Sequence, residues 1–289
     1  MVIKKSELIL NPDNSIYHLN LKPEHIASDI IFVGDQDRVD QITKHFETIE
    51  FTTQKREFKT TTGTYKKKRF SVISTGIGSD NIDIVLNELD ALVNIDLKTR
   101  TVKKTHTQLN IVRIGTSGSL QTNIPINSFL ISTYGLDLSG MLQAYKIDAI
   151  TNSEIEEKFV KHTLWSNQKA YPIAIKNSKK LEDKLSSTKT FKGITATAGG
   201  FYGPQGRVLR LPVQDPNLID KISSFNYNEN SITNLEMETA AIYGLAKLLK
   251  HNACSINAII ANRANGTFSE APYKTIEKLI IYTLNKLVE

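Results

Sequence analysis

One cysteine in 289 residues excludes a disulfide framework. That residue, Cys254, sits inside the apolar run Ala253–Ala261, where a thiol serves packing, because a reactive cysteine is partly exposed beside a base. No Pro-, Gly- or Ser-rich tract divides the chain, and no repeat or low-complexity segment interrupts it. It therefore reads as a single α/β domain over residues 1–289, long enough to bury a large core. A long uncharged apolar run is also lacking. Met1 to Leu10 carry Lys4, Lys5 and Glu7, too brief and too charged a stretch for a signal peptide or a membrane span, so a soluble, cytoplasmic protein is expected. His18, His25, His45, His106, His162 and His251 are scattered, with no H-E-x-x-H or Cys/His pairing, and no metal site is expected. Neither the G-x-x-x-x-G-K-[ST] pattern nor the three-glycine dinucleotide fingerprint is present, which argues against an ATPase or a dehydrogenase.

What is present begins with charge: 36 Lys+Arg against 30 Asp+Glu leave a formal +6, a sign that suits anionic ligands. Part of the excess lies in Lys66–Arg69 and Lys98–Lys104. Without interleaved aromatics for base stacking, these read as a solvated hairpin edge and a solvated loop, not as a nucleic-acid surface. Short β-branched runs alternate with amphipathic helical patterns, as in a sheet flanked by helices. Strands are expected at Ile30–Val33, Glu57–Thr62, Arg69–Ser74, Asn110–Ile114, Ser128–Thr133, Ile194–Thr197 and Cys254–Ile260, with Gly63 turning the second into the third. Helices are expected over Asp37–Phe46, Ile82–Val93, Ile155–Leu164, Glu236–Lys250 and Tyr273–Leu287.

Three expected strand ends combine small residues with a basic or hydroxyl neighbour: Gly34-Asp35-Gln36-Asp37-Arg38, Ser74-Thr75-Gly76-Ile77-Gly78 and Arg113-Ile114-Gly115-Thr116-Ser117-Gly118. Glycine lets the backbone approach a ligand, and a strand-to-helix turn points free N–H groups at an anion. Arg38 and Arg113 add planar forks that match phosphate oxygens, and Thr116 adds a hydroxyl. Each alone is more often a plain turn. Three in one chain point to an anion site at one edge of the sheet, without naming a reaction.

In chain order these segments resemble the nucleoside phosphorylases of the uridine phosphorylase type. Val33–Val39 is similar to their P-G-D-P-x-R-V segment, Ser74–Gly78 to S-T-G-I-G, Arg113–Gly118 to R-I-G-T-x-G, Phe201–Arg207 to F-Y-x-x-Q-x-R, Asn234–Ala240 to N-x-E-M-E-[ST]-A, and Ala261–Arg263 to V-N-R. The resemblance implies a three-layer α/β/α phosphorylase fold with a central mixed sheet, and a homo-oligomer, hexamer or dimer. It implies that Gly34, Arg38, Arg113 and Thr116 hold phosphate, joined by Arg56 from a neighbouring subunit, and that His18 crosses the same interface to the ribose 5′-hydroxyl. Glu236, Met237 and Glu238 would contact the ribose, and Phe201, Gln205 and Arg207 the base, with Arg113, Arg207 and Glu238 as the catalytic set. No organic cofactor is implied; inorganic phosphate is a co-substrate, and a monovalent cation would sit beside Glu57. The chain departs from the pattern at Gln36, where the family has proline, and at Ser79-Asp80-Asn81, where it has G-P-S next to that cation. It is also longer than usual between Val93 and Asn110, through the basic stretch at 98–109.

The reaction implied is uridine plus phosphate giving uracil and ribose 1-phosphate, a step of pyrimidine salvage. Its transition state is positive on the sugar and negative on the departing base. Phosphate gripped by arginines supplies nucleophile and counter-charge together, and Glu238 can accept hydrogen bonds from ribose hydroxyls. A uracil leaving group carries its charge on ring carbonyls and N3, an edge that Gln205 and Arg207 suit. A purine site wants a carboxylate toward N7, and Ile260–Asn265 offers none. On local sequence alone, Gln205 and Arg207 also read as a satisfied loop pair, and Glu236 and Glu238 as first-turn carboxylates of a helix. A purine nucleoside phosphorylase, a nucleosidase of the same fold that uses water, and a non-catalytic nucleoside-binding protein stand as alternatives.

Overall fold

Apolar β-branched runs become strands when both their faces are covered, and this chain places them side by side. The computed structural model describes residues 2–289. Its first part comprises β1 (Asp29–Val33), α1 (Gln36–Thr43), β2 (Thr48–Lys55), β3 (Phe58–Tyr65), β4 (Lys68–Ser74) and α2 (Ser79–Asn94). Then come β5 (Asn110–Ser119), β6 (Phe129–Asp137), α3 (Ser153–Thr163), β7 (Ile173–Lys176), α4 (Lys179–Leu185) and β8 (Thr190–Thr197). The last part holds α5 (Leu218–Ser223), β9 (Asn230–Glu236), α6 (Thr239–Leu248), β10 (Asn252–Asn262) and α7 (Pro272–Val288). Hydrogen-bonded neighbours run β9-β8-β6-β10-β5-β1-β4-β3-β2. β10, β5, β1 and β4 are parallel, whereas β4, β3 and β2 form an antiparallel meander, so the sheet is mixed. β9 also pairs antiparallel with β5, at Asn234 opposite Ser119 and Leu235 opposite Gly118. That contact closes β9, β8, β6, β10 and β5 into a ring.

Alternation along the strands builds the layers. Ile30 and Phe32 of β1 pack into one buried cluster with Ile82, Val85, Leu86 and Leu89 of α2 and Ile242 and Leu245 of α6. Ile31 and Val33 face the other way, against Val39 and Ile42 of α1, Leu181 and Leu185 of α4, and Leu279, Ile280 and Leu284 of α7. Helices thus cover both faces, the three-layer arrangement expected. Each such buried side chain contributes about 1.5–3 kcal/mol against exposure.

Several local expectations are corrected. Gly63 is not a turn: it lies inside β3, and the reversal comes at Lys66 and Lys67, both with positive φ. A Cβ on Gly63 would come within 2.1 Å of the Thr48 carbonyl oxygen, so glycine is required there by the neighbouring strand. Gly115–Gly118 is not a turn either, because β5 runs on to Ser119 and pairs with β10 and β9. The helix expected from Glu236 starts at Thr239, since the residues before it extend β9; α1 stops at Thr43. The basic loop is exposed as expected, yet it also anchors the chain: Arg100 donates to the Leu8 carbonyl and accepts from Ile3 N–H.

Candidate active site

The ends of β1, β5, β8 and β9 open on a cavity of about 450 Å³. Gly34, Arg38, Arg113, Thr116, Phe201, Gln205, Arg207, Glu236, Met237 and Glu238 all line it. The structure therefore brings together ten of the twelve expected site residues from four separate stretches of sequence. His18 and Arg56 are not among the lining residues of this single chain. Arg56 sits exposed between β2 and β3 with φ 55°, and its carbonyl accepts from Gln36 Nε2 at 2.6 Å.

Arg113 is buried and works as a fork. One terminal nitrogen donates to Asn257 Oδ1 at 2.9 Å, the other to Glu238 Oε2 at 2.5 Å, with Glu236 Oε2 at 3.5 Å. Burial opposes its charge, but Glu238 and Glu236 outweigh that and hold the guanidinium above its ordinary pKa. Glu236 is pushed the other way: burial raises it, Arg113 lowers it, and the nearby Glu238 raises it again, to a net rise. The two carboxylates divide their work. Glu236 Oε2 accepts from the backbone N–H groups of Glu238 and Thr239, capping α6, while its other oxygen accepts from Thr197 Oγ1. Glu238 faces the cavity and is steadied by Gly78 N–H at 2.9 Å. The helix-terminus reading of this pair is met by Glu236, from the end of β9 and not from the first turn of α6.

The anion-binding groups differ from expectation in kind. At the first turn the Asp35 side chain accepts from the N–H groups of Asp37 and Arg38, which satisfies the α1 terminus internally. At the second, the Gly78 N–H is taken by Glu238. What the cavity offers an anion is guanidinium. Burial, and after it the charge of Arg113, lowers the Arg38 pKa against the opposing pull of Asp35, and the Arg38 Nε is buried without a hydrogen-bond partner. Gly34 leaves room beside these groups: a Cβ there would meet only the Gly76 carbonyl oxygen, at an ordinary 3.8 Å.

Gln205, also lining the cavity, is buried and its Oε1 accepts from Arg207 at 2.5 Å, which leaves its amide nitrogen as the remaining donor. Arg207 also donates to the Phe201 carbonyl at 2.7 Å and lies over the Phe201 ring, 3.9 Å from its centre. Arg263 donates to the Gln205 carbonyl at 2.8 Å and supports the same loop. A larger hollow of about 760 Å³, lined mainly by apolar residues such as Trp165, Leu209 and Leu211, shares Arg207 with the cavity. Of the expected site residues the larger hollow takes only Arg207, whereas the smaller cavity takes ten.

Residues 29–281 match the phosphorylase superfamily. The chain belongs to that family. It is 28% identical over 264 residues to a uridine phosphorylase of Thermococcus kodakarensis, covering 89% of this chain and 81% of that protein. It is 26% identical over 274 residues to a DeoD-type purine nucleoside phosphorylase of Shewanella oneidensis, covering 94% and 98%. Among solved structures, a Trypanosoma brucei nucleoside phosphorylase described as showing uridine phosphorylase activity superposes with a TM-score of 0.85 at 27% identity, over 96% of this chain and 99% of that one.

Within this phosphorylase superfamily chain, sequence reasoning missed Asn257 and the need for Gly115. A Cβ on Gly115 would fall 1.9 Å from Arg113 Nη1, so the glycine makes the space into which Arg113 folds back. The signal for Asn257 was a lone amide inside a buried apolar strand, which must have a partner. The histidines are less scattered than expected: His106 and His251 stack with ring centres 5.6 Å apart beside Asp90. His251 Nδ1 accepts from Leu109 N–H, so the ring proton resides on Nε2, 3.2 Å from Asp90, and no lone pair is left there for a metal. Asn81 and Glu57 flank Gly76, and Asn81 Nδ2 donates to the Ile77 carbonyl at 3.2 Å. Among the described residues no helix is long and apolar enough to cross a membrane.

Proposed function

We propose that this chain catalyses the phosphorolysis of uridine. The C1′–N1 bond breaks as a bond forms from C1′ to a phosphate oxygen, giving uracil and ribose 1-phosphate. The observation that carries the reading is that Arg38 and Arg113 line the same cavity, and that among the described residues Arg38 meets only Asp35, at a loose 3.7 Å, which leaves guanidinium donors for a phosphate oxygen. Phosphate there supplies both the nucleophile and the negative charge opposite the developing sugar cation, so no protein nucleophile is needed. Thr116 offers a hydroxyl to the same anion, and Glu238 accepts from ribose hydroxyls beside Met237. The amide nitrogen of Gln205 and the unspent N–H groups of Arg207 donate to the carbonyls of the departing base, while Phe201 offers a ring face. His18 and Arg56 reach the site of a neighbouring subunit in a homo-oligomer, His18 to the ribose 5′-hydroxyl and Arg56 to phosphate. No organic cofactor enters.

Pyrimidine is favoured over purine because β10 turns only Ile260 and Ala261 to the cavity, and no residue from Ile260 to Asn265 is a carboxylate that could act toward a purine N7. The test is uracil release from uridine with and without phosphate. Release that depends on phosphate and exceeds inosine turnover is expected. Equal release without phosphate would indicate hydrolysis, and binding without turnover a nucleoside-binding protein.

A further inference from the structure

We infer that Glu88 is a positioning residue for His18, fixing which ring nitrogen that histidine presents. Glu88 lies on α2, outside the cavity, with a side chain only 13% exposed. Its carboxylate is given over to one short segment. It accepts from the backbone N–H of His18 at 3.0 Å and of Leu19 at 2.8 Å, and an oxygen stands 2.7 Å from His18 Nδ1. The segment is held from a second side by Lys55, whose ammonium donates to the Tyr17 carbonyl at 2.5 Å and lies 4.5 Å from the centre of the Tyr17 ring. The Tyr17 ring in turn meets the His18 ring edge-on, at 4.8 Å between centres.

Anchoring the chain would need only the two backbone bonds. The bond to the ring does something further, because a carboxylate can only accept, so Nδ1 carries the proton. In the neutral ring Nε2 then holds the free lone pair, and the half-buried imidazole presents it away from Glu88. Such a nitrogen accepts a hydrogen bond from an alcohol; the other tautomer could not. This inference rests on the proposal that His18 meets the ribose 5′-hydroxyl in a neighbouring subunit.

The test uses the full-length protein at saturating phosphate with uridine and 5′-deoxyuridine, which differ only in that hydroxyl. Glu88→Gln leaves one acceptor oxygen for the donors of His18 and Leu19. The ratio of kcat/KM for uridine over 5′-deoxyuridine is expected to fall about fivefold, the scale of one hydrogen bond. His18→Ala is expected to lower the same ratio at least as far. If His18→Ala lowers the ratio and Glu88→Gln slows both substrates alike, Glu88 is merely structural and the inference fails. If His18→Ala leaves the ratio unchanged, the reading of His18 fails and takes the inference with it, so the two failures are told apart. Should Glu88→Gln not fold, nitrogen-15 NMR of the unsubstituted, histidine-labelled protein decides. A His18 ring protonated at Nδ1 supports the assignment, and a proton on Nε2 alone overturns it.

Discussion

Removing the Arg113 side chain takes from Glu236 and Glu238 the buried counter-charge that both now share. Arg113→Ala is therefore expected to lower turnover at least about 100-fold, the scale of one transition-state charge donor. It should also destabilise the fold by about 3–5 kcal/mol, because it strands buried carboxylates. Steady-state phosphorolysis and denaturant titration check the two effects separately. Two glycines make a sharper contrast. Gly34→Ala meets no protein obstacle and should raise the KM for phosphate with little change in thermal midpoint, whereas Gly115→Ala drives a methyl into the Arg113 guanidinium and should lower kcat. At this scale Arg38, Arg113 and Thr116 were legible as chemistry-bearing types beside small residues, whereas Gln205 and Glu238 were singled out only by the family resemblance. The Asp35 cap and the reason for Gly115 were not, since both depend on where a neighbouring side chain folds in three dimensions.

Among the elements, α6 packs closely on the sheet at Gly135 of β6, where a Cβ would lie 2.7 Å from Ala240 Cα. Backbone cannot yield as a side-chain tip can. Gly135→Ala is expected to cost about 1–3 kcal/mol through overpacking. It should also reduce activity by shifting the helix that follows Glu238, and chemical denaturation paired with an activity assay checks this. The buried strands β1 and β10 and the apolar face of α2 could be read in advance, because burial on both sides demands continuous apolar runs and burial on one side demands the helical period. β2 could not: Thr48–Lys55 is a largely exposed edge strand in which polar residues predominate. The start of α6 was misplaced because helix-favouring glutamates precede it, and the ladder with β8 and β5 overrides their local preference.

Across the whole molecule, Cys254 is completely buried and burial pushes its thiol up to about 12, from an ordinary 9.0. The folded state keeps this proton where the unfolded chain loses it. The stabilisation is thus complete below about pH 9 and declines as pH rises toward 12. A chromogenic thiol reagent at pH 8 is expected to leave the native protein unmodified and to react once denaturant is added, and the thermal midpoint should fall above pH 9. The layered plan itself was legible from alternating patterns and motif order. The pairing of β9 with β5 was not, since it joins segments more than a hundred residues apart through only two residue pairs.

A hoop of strands has no seam along which to be prised apart. The arginine of β5 and the carboxylates at and just past the end of β9 meet directly, at a spacing set by that hoop. Any give must come from the irregular stretch between β8 and α5, which carries Gln205 and Arg207. Taste for one base over another can therefore drift by substitutions in that stretch, while the machinery that severs the sugar keeps its gauge.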